Sequence, residues 1–281
     1  MDRHLRGIDH LVVAVADLET AAGRWRRLGF TLTPRGRHPE WGTANHCILL
    51  EGGYIELLGV ETPDGDAPLV RRLRSFGEGI FAVALASDDP AATAAAWRTL
   101  GFSARGPERL TRWMEADGGV ELAFSNVSLP ADETLGLGLF ACRHETPERE
   151  AEPAWREHAN GARTLVSVSV LAEPPDAVAA LFDRLFGTST RSQTDHVAAF
   201  HLGRGRILVL PVEDAHLLHP LAGVEEGEQP PRFVSLEVAV ADLEALARRL
   251  EAAGVPHRRI ADGLAIPPGE LGGVALEFTE G

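Results

Sequence analysis

The sequence predicts an α+β fold made of four copies of one unit, a strand, a helix and three further strands. Three observations carry that expectation. The heptapeptide Val-Ala-Val-Ala-Asp-Leu-Glu stands at 13–19 and again, identically, at 238–244. An aspartate is followed twelve residues later by a glycine in three places, Asp17 to Gly29, Asp89 to Gly101 and Asp242 to Gly254. Behind each glycine lie short apolar runs divided by Gly, Pro and charged residues, the punctuation of strands and turns. An identical heptapeptide in both halves marks an internal repeat, and a repeat constrains the fold more than any single element does.

Each unit opens on an apolar run long enough for a buried strand. The following Asp can accept the free N–H groups of a helix start, and the Gly twelve residues on suits the left-handed position that ends a helix. Between Asp17 and Gly29 the apolar residues Leu18, Ala21, Ala22, Trp25 and Leu28 recur at helical spacing, with Arg24, Arg26 and Arg27 mainly opposite, so this helix packs one face on a sheet. Strand-like pieces follow at Thr43 to Leu50 and Tyr54 to Val60, joined through Glu51-Gly52-Gly53. The units begin near residues 7, 79, 163 and 232; the one near 163 is looser, running from Val166 through Pro174-Pro175-Asp176 to Leu185-Phe186-Gly187. A charged, Pro-containing stretch at 143–162 reads as a linker, which divides the chain into an N-terminal domain of 1–142 and a C-terminal domain of 163–281.

Composition excludes several functions. The 281 residues carry 27 basic and 41 acidic side chains, a formal charge of −14, whereas a nucleic-acid partner needs a basic footprint. Every basic residue is Arg, so neither a Schiff-base lysine nor a P-loop lysine can act. The 44% apolar and 24% charged content is that of an ordinary soluble protein. Cys47 and Cys142 form no C-x-x-C pattern, which leaves neither a disulfide framework nor a zinc ribbon. With no signal-like apolar core at the N-terminus and no apolar stretch of membrane-spanning length, a cytoplasmic protein without a membrane partner is expected.

The run Gly7-Ile8-Asp9-His10-Leu11-Val12-Val13-Ala14-Val15-Ala16-Asp17-Leu18, then Leu28-Gly29-Phe30, Gly42-Thr43-Ala44-Asn45 and Tyr54-Ile55-Glu56-Leu57-Leu58, resembles the glyoxalase-like branch of the vicinal oxygen chelate superfamily. The resemblance spans nearly the whole chain, closely in the first unit and by pattern in the others. It implies βαβββ modules paired into two curved, barrel-like mixed sheets. It also implies a divalent metal, Fe, Mn, Zn or Ni, ligated from the first and last strands of each module. The partner is then a small oxygenated organic substrate. A homodimer is not required, since four modules in one chain supply both cups.

On that resemblance His10 is the first-strand ligand, a polar ring followed by apolar residues from Leu11 to Val15. The alternative is a buried histidine bonded to a carbonyl. Glu56, a carboxylate interrupting an apolar strand, is the last-strand ligand and the candidate catalytic group, the alternative being an exposed edge-strand acid. Superimposing the second module on the first puts Ala82 opposite His10, so the third ligand is assigned to the strand at 137–143, where His144 is preferred over Cys142 and Glu145. Two His and one carboxylate leave positions open for a chelating substrate or for dioxygen.

His38, Trp41 and Asn45 are candidates for substrate contact at the rim, and His158 and Asn160 are weaker ones. In the second half Ser235 replaces His10 and Glu277 keeps the last-strand carboxylate with no evident partner, so this half reads as mainly structural; His216 and His219 read as surface or loop residues. Two functions remain open: a metalloenzyme of isomerase, lyase or ring-cleaving dioxygenase type, and a metal-free protein that binds a small molecule in the same cup.

Overall fold

The computed structural model describes residues 4–62, 67–116, 118–150, 152–222 and 231–281. The first module runs β1 (Leu5–Val15), α1 (Leu18–Arg27), β2 (Gly36–His38), β3 (Thr43–Leu50) and β4 (Gly53–Val60). A helix outside the predicted unit, α2 (Pro68–Phe76), leads into the second module: β5 (Gly79–Ser87), α3 (Pro90–Thr99), β6 (Arg105–Met114), β7 (Val120–Ser128) and β8 (Gly138–His144). The third comprises β9 (Ala162–Ala172), α4 (Pro175–Phe186), β10 (Arg191–Gln193), β11 (Ala198–His201) and β12 (Arg206–Pro211), followed by the single turn α5 (Ala215–Leu218). The fourth comprises β13 (Arg232–Val240), α6 (Leu243–Ala252), β14 (Arg258–Ile260), β15 (Gly263–Ile266) and β16 (Ala275–Glu280).

The aspartates of the repeat cap their helices. Asp17 accepts from the Thr20 N–H at 2.7 Å, Asp89 from Ala92 at 2.9 Å and Asp242 from Ala245 at 2.8 Å. The closing glycine takes a positive φ, +93° at Gly29, where an L side chain would be strained. The third module differs. Pro174 occupies the cap position of α4, and Asp176 falls inside the first turn, where it meets the helix dipole without capping.

In every module the first strand pairs parallel with the last, and two first strands lie antiparallel at the centre of each pair. The N-terminal pair closes into a barrel, β1-β4-β3-β2-β6-β7-β8-β5, sealed where Gly36 and Arg37 of β2 meet Met114 and Trp113 of β6. The C-terminal pair is an eight-stranded sheet in the order β10-β11-β12-β9-β13-β16-β15-β14. Alternation along β1 sends Leu11, Val13 and Val15 into an apolar core shared by both halves, while His10 and Val12 line the barrel interior. The halves are joined backbone to backbone, with Ile8 N–H donating to Arg204 O and Glu51 N–H to Arg163 O. Helix α2 lays Leu69 and Leu73 on Val12, Ala14, Leu58 and Ala82, and so closes one end of the barrel.

Candidate functional site

Inside the barrel is a cavity of about 1230 Å³, walled by Val12, Leu58, Phe81, Phe124 and Phe140 and holding His10, His38 and Glu56. Two first-module strands position the central pair. Between β1 and β5 the register steps from Ile8↔Leu85 to His10↔Ala84, so Asp9 is an extra residue in the ladder. Such a bulge frees the side chain from strict alternation. The Asp9 carboxylate thereby turns toward His10, its Oδ2 accepting from His10 Nδ1 at 2.7 Å and from His144 Nε2 at 3.1 Å. Burial by itself raises the Asp9 pKa, but these hydrogen bonds and the two imidazoles outweigh it and hold the carboxyl well below its ordinary range.

An anionic Asp9 makes His10 Nδ1 the donor to it and turns Nε2 toward the cavity. His10 Nε2 lies 3.8 Å from Glu56 Oε2. The imidazole is held flat on Tyr54, centroids 4.3 Å apart, with Phe140 edge-on at 5.4 Å. Glu56 is buried, which raises its pKa, yet the basic groups around it, His38, His10 and Arg112, and a hydrogen bond from Asn45 Nδ2 to Oε1 outweigh burial and hold it below the ordinary value. It is therefore an ionised carboxylate in an apolar barrel.

His38 ends β2 with Nδ1 3.1 Å from Thr43 Oγ1 and its ring tilted against the half-exposed Trp41. Burial, with Arg112 and His10 adding to it and Glu56 opposing, pushes its pKa down to about 4, so the ring is neutral at pH 7. Arg112, only 3% exposed, directs Nη1 to Cys47 Sγ at 3.0 Å and lies over Phe124.

Of the residues expected from the sequence, His10, Glu56, Asn45 and His38 thus gather at the cavity, with Trp41 at its rim. His144 Nε2 shares the Asp9 carboxylate oxygen with His10, and it does so from beyond the module position that Glu56 occupies. In module one Glu56 stands opposite Val12; in module two the matching position opposite Ala84 is Phe140, four residues before His144. Both module-two ligand positions, Ala82 and Phe140, are therefore apolar. The ligand-type atoms that lie within 4.8 Å of one another among the described residues are those of Asp9, Cys142 and His144.

Asp9, Tyr54 and Arg112 were not singled out from the sequence. Tyr54 stands there only as part of a strand-like run, and alternation assigns Asp9 to the face opposite His10. His158 and Asn160 serve structure rather than the cavity. His158 accepts from Thr31 N–H at 3.1 Å and donates to Leu49 O at 2.8 Å, and Asn160 Oδ1 accepts from Ala162 N–H.

The second half holds a reduced counterpart. Glu277 pairs with Glu237 as Glu56 pairs with Val12, so it occupies the same module position, with Ser235 in place of His10. Its partner is His219, expected as a surface or loop residue and found packed in the loop after α5 at 3% exposure, whose Nδ1 lies 2.9 Å from Glu277 Oε2 and 3.4 Å from Ser235 Oγ. His216 is exposed, as expected.

Paired βαβββ modules around a His–carboxylate centre define a protein of the vicinal oxygen chelate class. Within it, the chain belongs to the glyoxalase-like domain family, whose model matches residues 8–186. Among solved structures, a hypothetical protein from Staphylococcus aureus aligns with TM-score 0.69 at 14% identity, over 97% of this chain and 98% of that one. A mutant of 4-hydroxymandelate synthase from Streptomyces coelicolor aligns with TM-score 0.59 at 15% identity, over 99% and 93%. A xylose isomerase-like TIM barrel/4-hydroxyphenylpyruvate dioxygenase fusion protein aligns with TM-score 0.61 at 16% identity, covering 98% of this chain and 49% of that chain. At these identities the likeness is one of fold. No curated protein matches the sequence.

Proposed function

We propose that the N-terminal barrel is the active site of a metal-dependent enzyme acting on a small oxygenated organic substrate, with proton transfer beside a carbonyl, of isomerase or lyase type, as its chemistry. The observation that carries this is the pair His10 Nε2 and Glu56 Oε2, 3.8 Å apart, each fixed from behind by its own partner and both open to one cavity. The donors suit a divalent ion of the borderline kind, imidazole plus carboxylate. His10 and Glu56 would hold it. The resemblance nominates His144 as the third ligand, and its Nε2 engages Asp9, the partner of His10. A divalent ion bound there polarises substrate oxygens and stabilises negative charge that develops on them.

The chain's own groups supply the rest. Asp9 keeps the imidazole of His10 oriented, Nδ1 on the carboxylate and Nε2 toward the cavity. Arg112 offers a buried positive charge beside the carboxylate, and the neutral His38 is able to accept a proton within the cavity. Apolar walls exclude water and strengthen each of these interactions.

The metal-free binding protein is the second reading, favoured by the apolar residues at Ala82 and Phe140. Metal analysis of protein purified without chelator separates the two. The enzyme reading expects one divalent ion per chain, lost in His10→Ala and Glu56→Gln, while metal-free protein from replete cells would sink it. A redox-active ion in place of a redox-inert one would move the assignment to dioxygenase chemistry.

A further inference from the structure

A second set of ligand-type groups lies beside His10, and its chemistry differs from that of the His10–Glu56 pair. One ligand atom each of Asp9, Cys142 and His144 falls within 4.8 Å of the others. Asp9 comes from the bulge in β1, while Cys142 and His144 are alternate residues of β8 and so share a face. Strand β5 runs between β1 and β8, and it passes there with alanines. Ala84 pairs with His10 on one side and Phe140 on the other, and Ala86 with Gly7 and Cys142. Side chains that short let the longer ones of the flanking strands meet over them.

The composition of the set suits a cation. Asp9 and Cys142 are 8% and 2% exposed, and the apolar Ala84, Met114, Leu122 and Phe124 pack around the thiol. The His144 ring has Phe124 edge-on at 5.0 Å and Tyr54 at 5.8 Å. A carboxylate, a thiolate and a neutral imidazole sum to two negative charges, which one divalent ion cancels, and apolar surroundings tolerate a neutral site far better than a charged one. Thiolate with imidazole selects zinc and its chemical relatives over magnesium or calcium. Four-coordinate zinc holds its ligands at about 2.0–2.3 Å and therefore about 3.5 Å from one another, so the three groups need close in by only about 1 Å. A fourth group is at hand. Asn126 pairs with Cys142 across the β7–β8 ladder, where paired side chains are neighbours, and its buried Oδ1 has no hydrogen-bond partner among the described residues. An ion, or a water carried on it, satisfies that oxygen.

We infer that Asp9, Cys142 and His144 form a thiolate-containing site for a divalent cation of the zinc class, separate from the His10–Glu56 pair. The Cys142 thiol releases its proton to solvent as the sulfur–metal bond forms. Asp9 then belongs to both centres, as a ligand in one and as the group that orients His10 in the other. The ion ties β1 of the first module to β8 of the second, and it does not depend on the barrel being an active site. Protein loaded at both places carries two ions, one of which survives the loss of Glu56.

Cobalt(II) titration of the full chain, stripped of metal and kept reduced, tests the inference, because a thiolate bound to cobalt gives a near-ultraviolet charge-transfer band that carboxylate and imidazole do not. One equivalent of cobalt is expected to complete that band, and zinc to bleach it. The band should persist in Cys47→Ser and in Glu56→Gln, vanish in Cys142→Ser, and require at least tenfold more cobalt in His144→Gln. Circular dichroism establishes that each variant is folded; if Cys142→Ser is not, the His144→Gln titration decides. No charge-transfer band in the wild type, an undiminished band in folded Cys142→Ser, its loss in folded Cys47→Ser, or undiminished affinity in His144→Gln overturns the site. Loss of the band in folded Glu56→Gln would merge the two centres and overturn their separation. A wild type that binds this ion and no other leaves the inference standing and removes the metal from His10 and Glu56, so the two readings fail separately.

Discussion

Asp9 is the residue on which the centre turns, because one carboxylate oxygen fixes two imidazoles. Asp9→Asn keeps the shape but allows the His10 ring to change tautomer, and carboxylate partners of this kind typically contribute 10- to 100-fold in metal affinity. That loss is the expected outcome, read by competition against a chelating dye, with the fold retained by circular dichroism. Gly36 gives a second residue-scale prediction. A Cβ there would overlap Asn45 Oδ1, the amide that holds Glu56, so Gly36→Ala should displace Asn45 and lower metal affinity although residue 36 touches no metal. His10 and Glu56 are legible in the sequence because each is a polar residue set in an apolar strand, and burying such a group without a partner is costly. Asp9 is not legible in the same way. Its role depends on a bulge that exists only once β1 has met β5, and a period-two reading sends its side chain to the wrong face.

At the scale of elements, the segment between the two halves is held by His158, which uses both ring nitrogens on backbone groups of the first module. Burial lowers its pKa and Arg156 adds to this, while the bond to Leu49 O opposes. A folded pKa below that of the free side chain means the native state favours the neutral ring. This contribution is complete above the free value of about 6.5 and declines as pH falls from there toward the lower folded value. His158→Gln should flatten the fall in melting temperature between pH 8 and pH 5; an unchanged slope would refute this.

The His219–Glu277 pair links the segment after α5 to β16. Removing one partner of a buried pair leaves an uncompensated charge, so His219→Leu should destabilise by about 3 kcal/mol in urea unfolding, and His219→Leu/Glu277→Leu should recover most of it. The four repeated units are legible because their signals are local, a cap and a stop twelve residues apart. Helices α2 and α5 are not, because a short amphipathic turn in a connecting segment owes its helicity to the barrel or sheet it covers.

For the whole molecule, the two halves share one apolar core, in which Phe30 of the first half, packed on Trp25, meets Phe278 of the second. Arg27 donates to Ala253 O and Gly254 O, and Arg184 lies over Phe102 in the reverse direction. Residues 1–142 produced alone should therefore expose the core face of the barrel, bind a hydrophobic dye and lack a cooperative melt. Residues 1–142 behaving as a monomeric, cooperatively folding barrel would show the halves to be independent. The same join explains how one centre is retained while the other is reduced, since the C-terminal half contributes to the shared core and supplies Arg232 and Phe233 to the cavity lining whatever its own pocket does.

The contrast between a closed barrel and an open sheet has a further consequence for association. Among the described residues the N-terminal sheet closes on itself through the short β2–β6 seam, whereas the C-terminal sheet ends on two open borders, β10 and β14. Both are three residues long and each starts with an arginine, Arg191 on one and Arg258 on the other. Short, charged borders offer a neighbour too few backbone groups to pair with, which is how open sheets avoid growing into fibres. Strand addition at either border of the C-terminal sheet is thereby disfavoured, which turns self-assembly there toward side-chain surfaces.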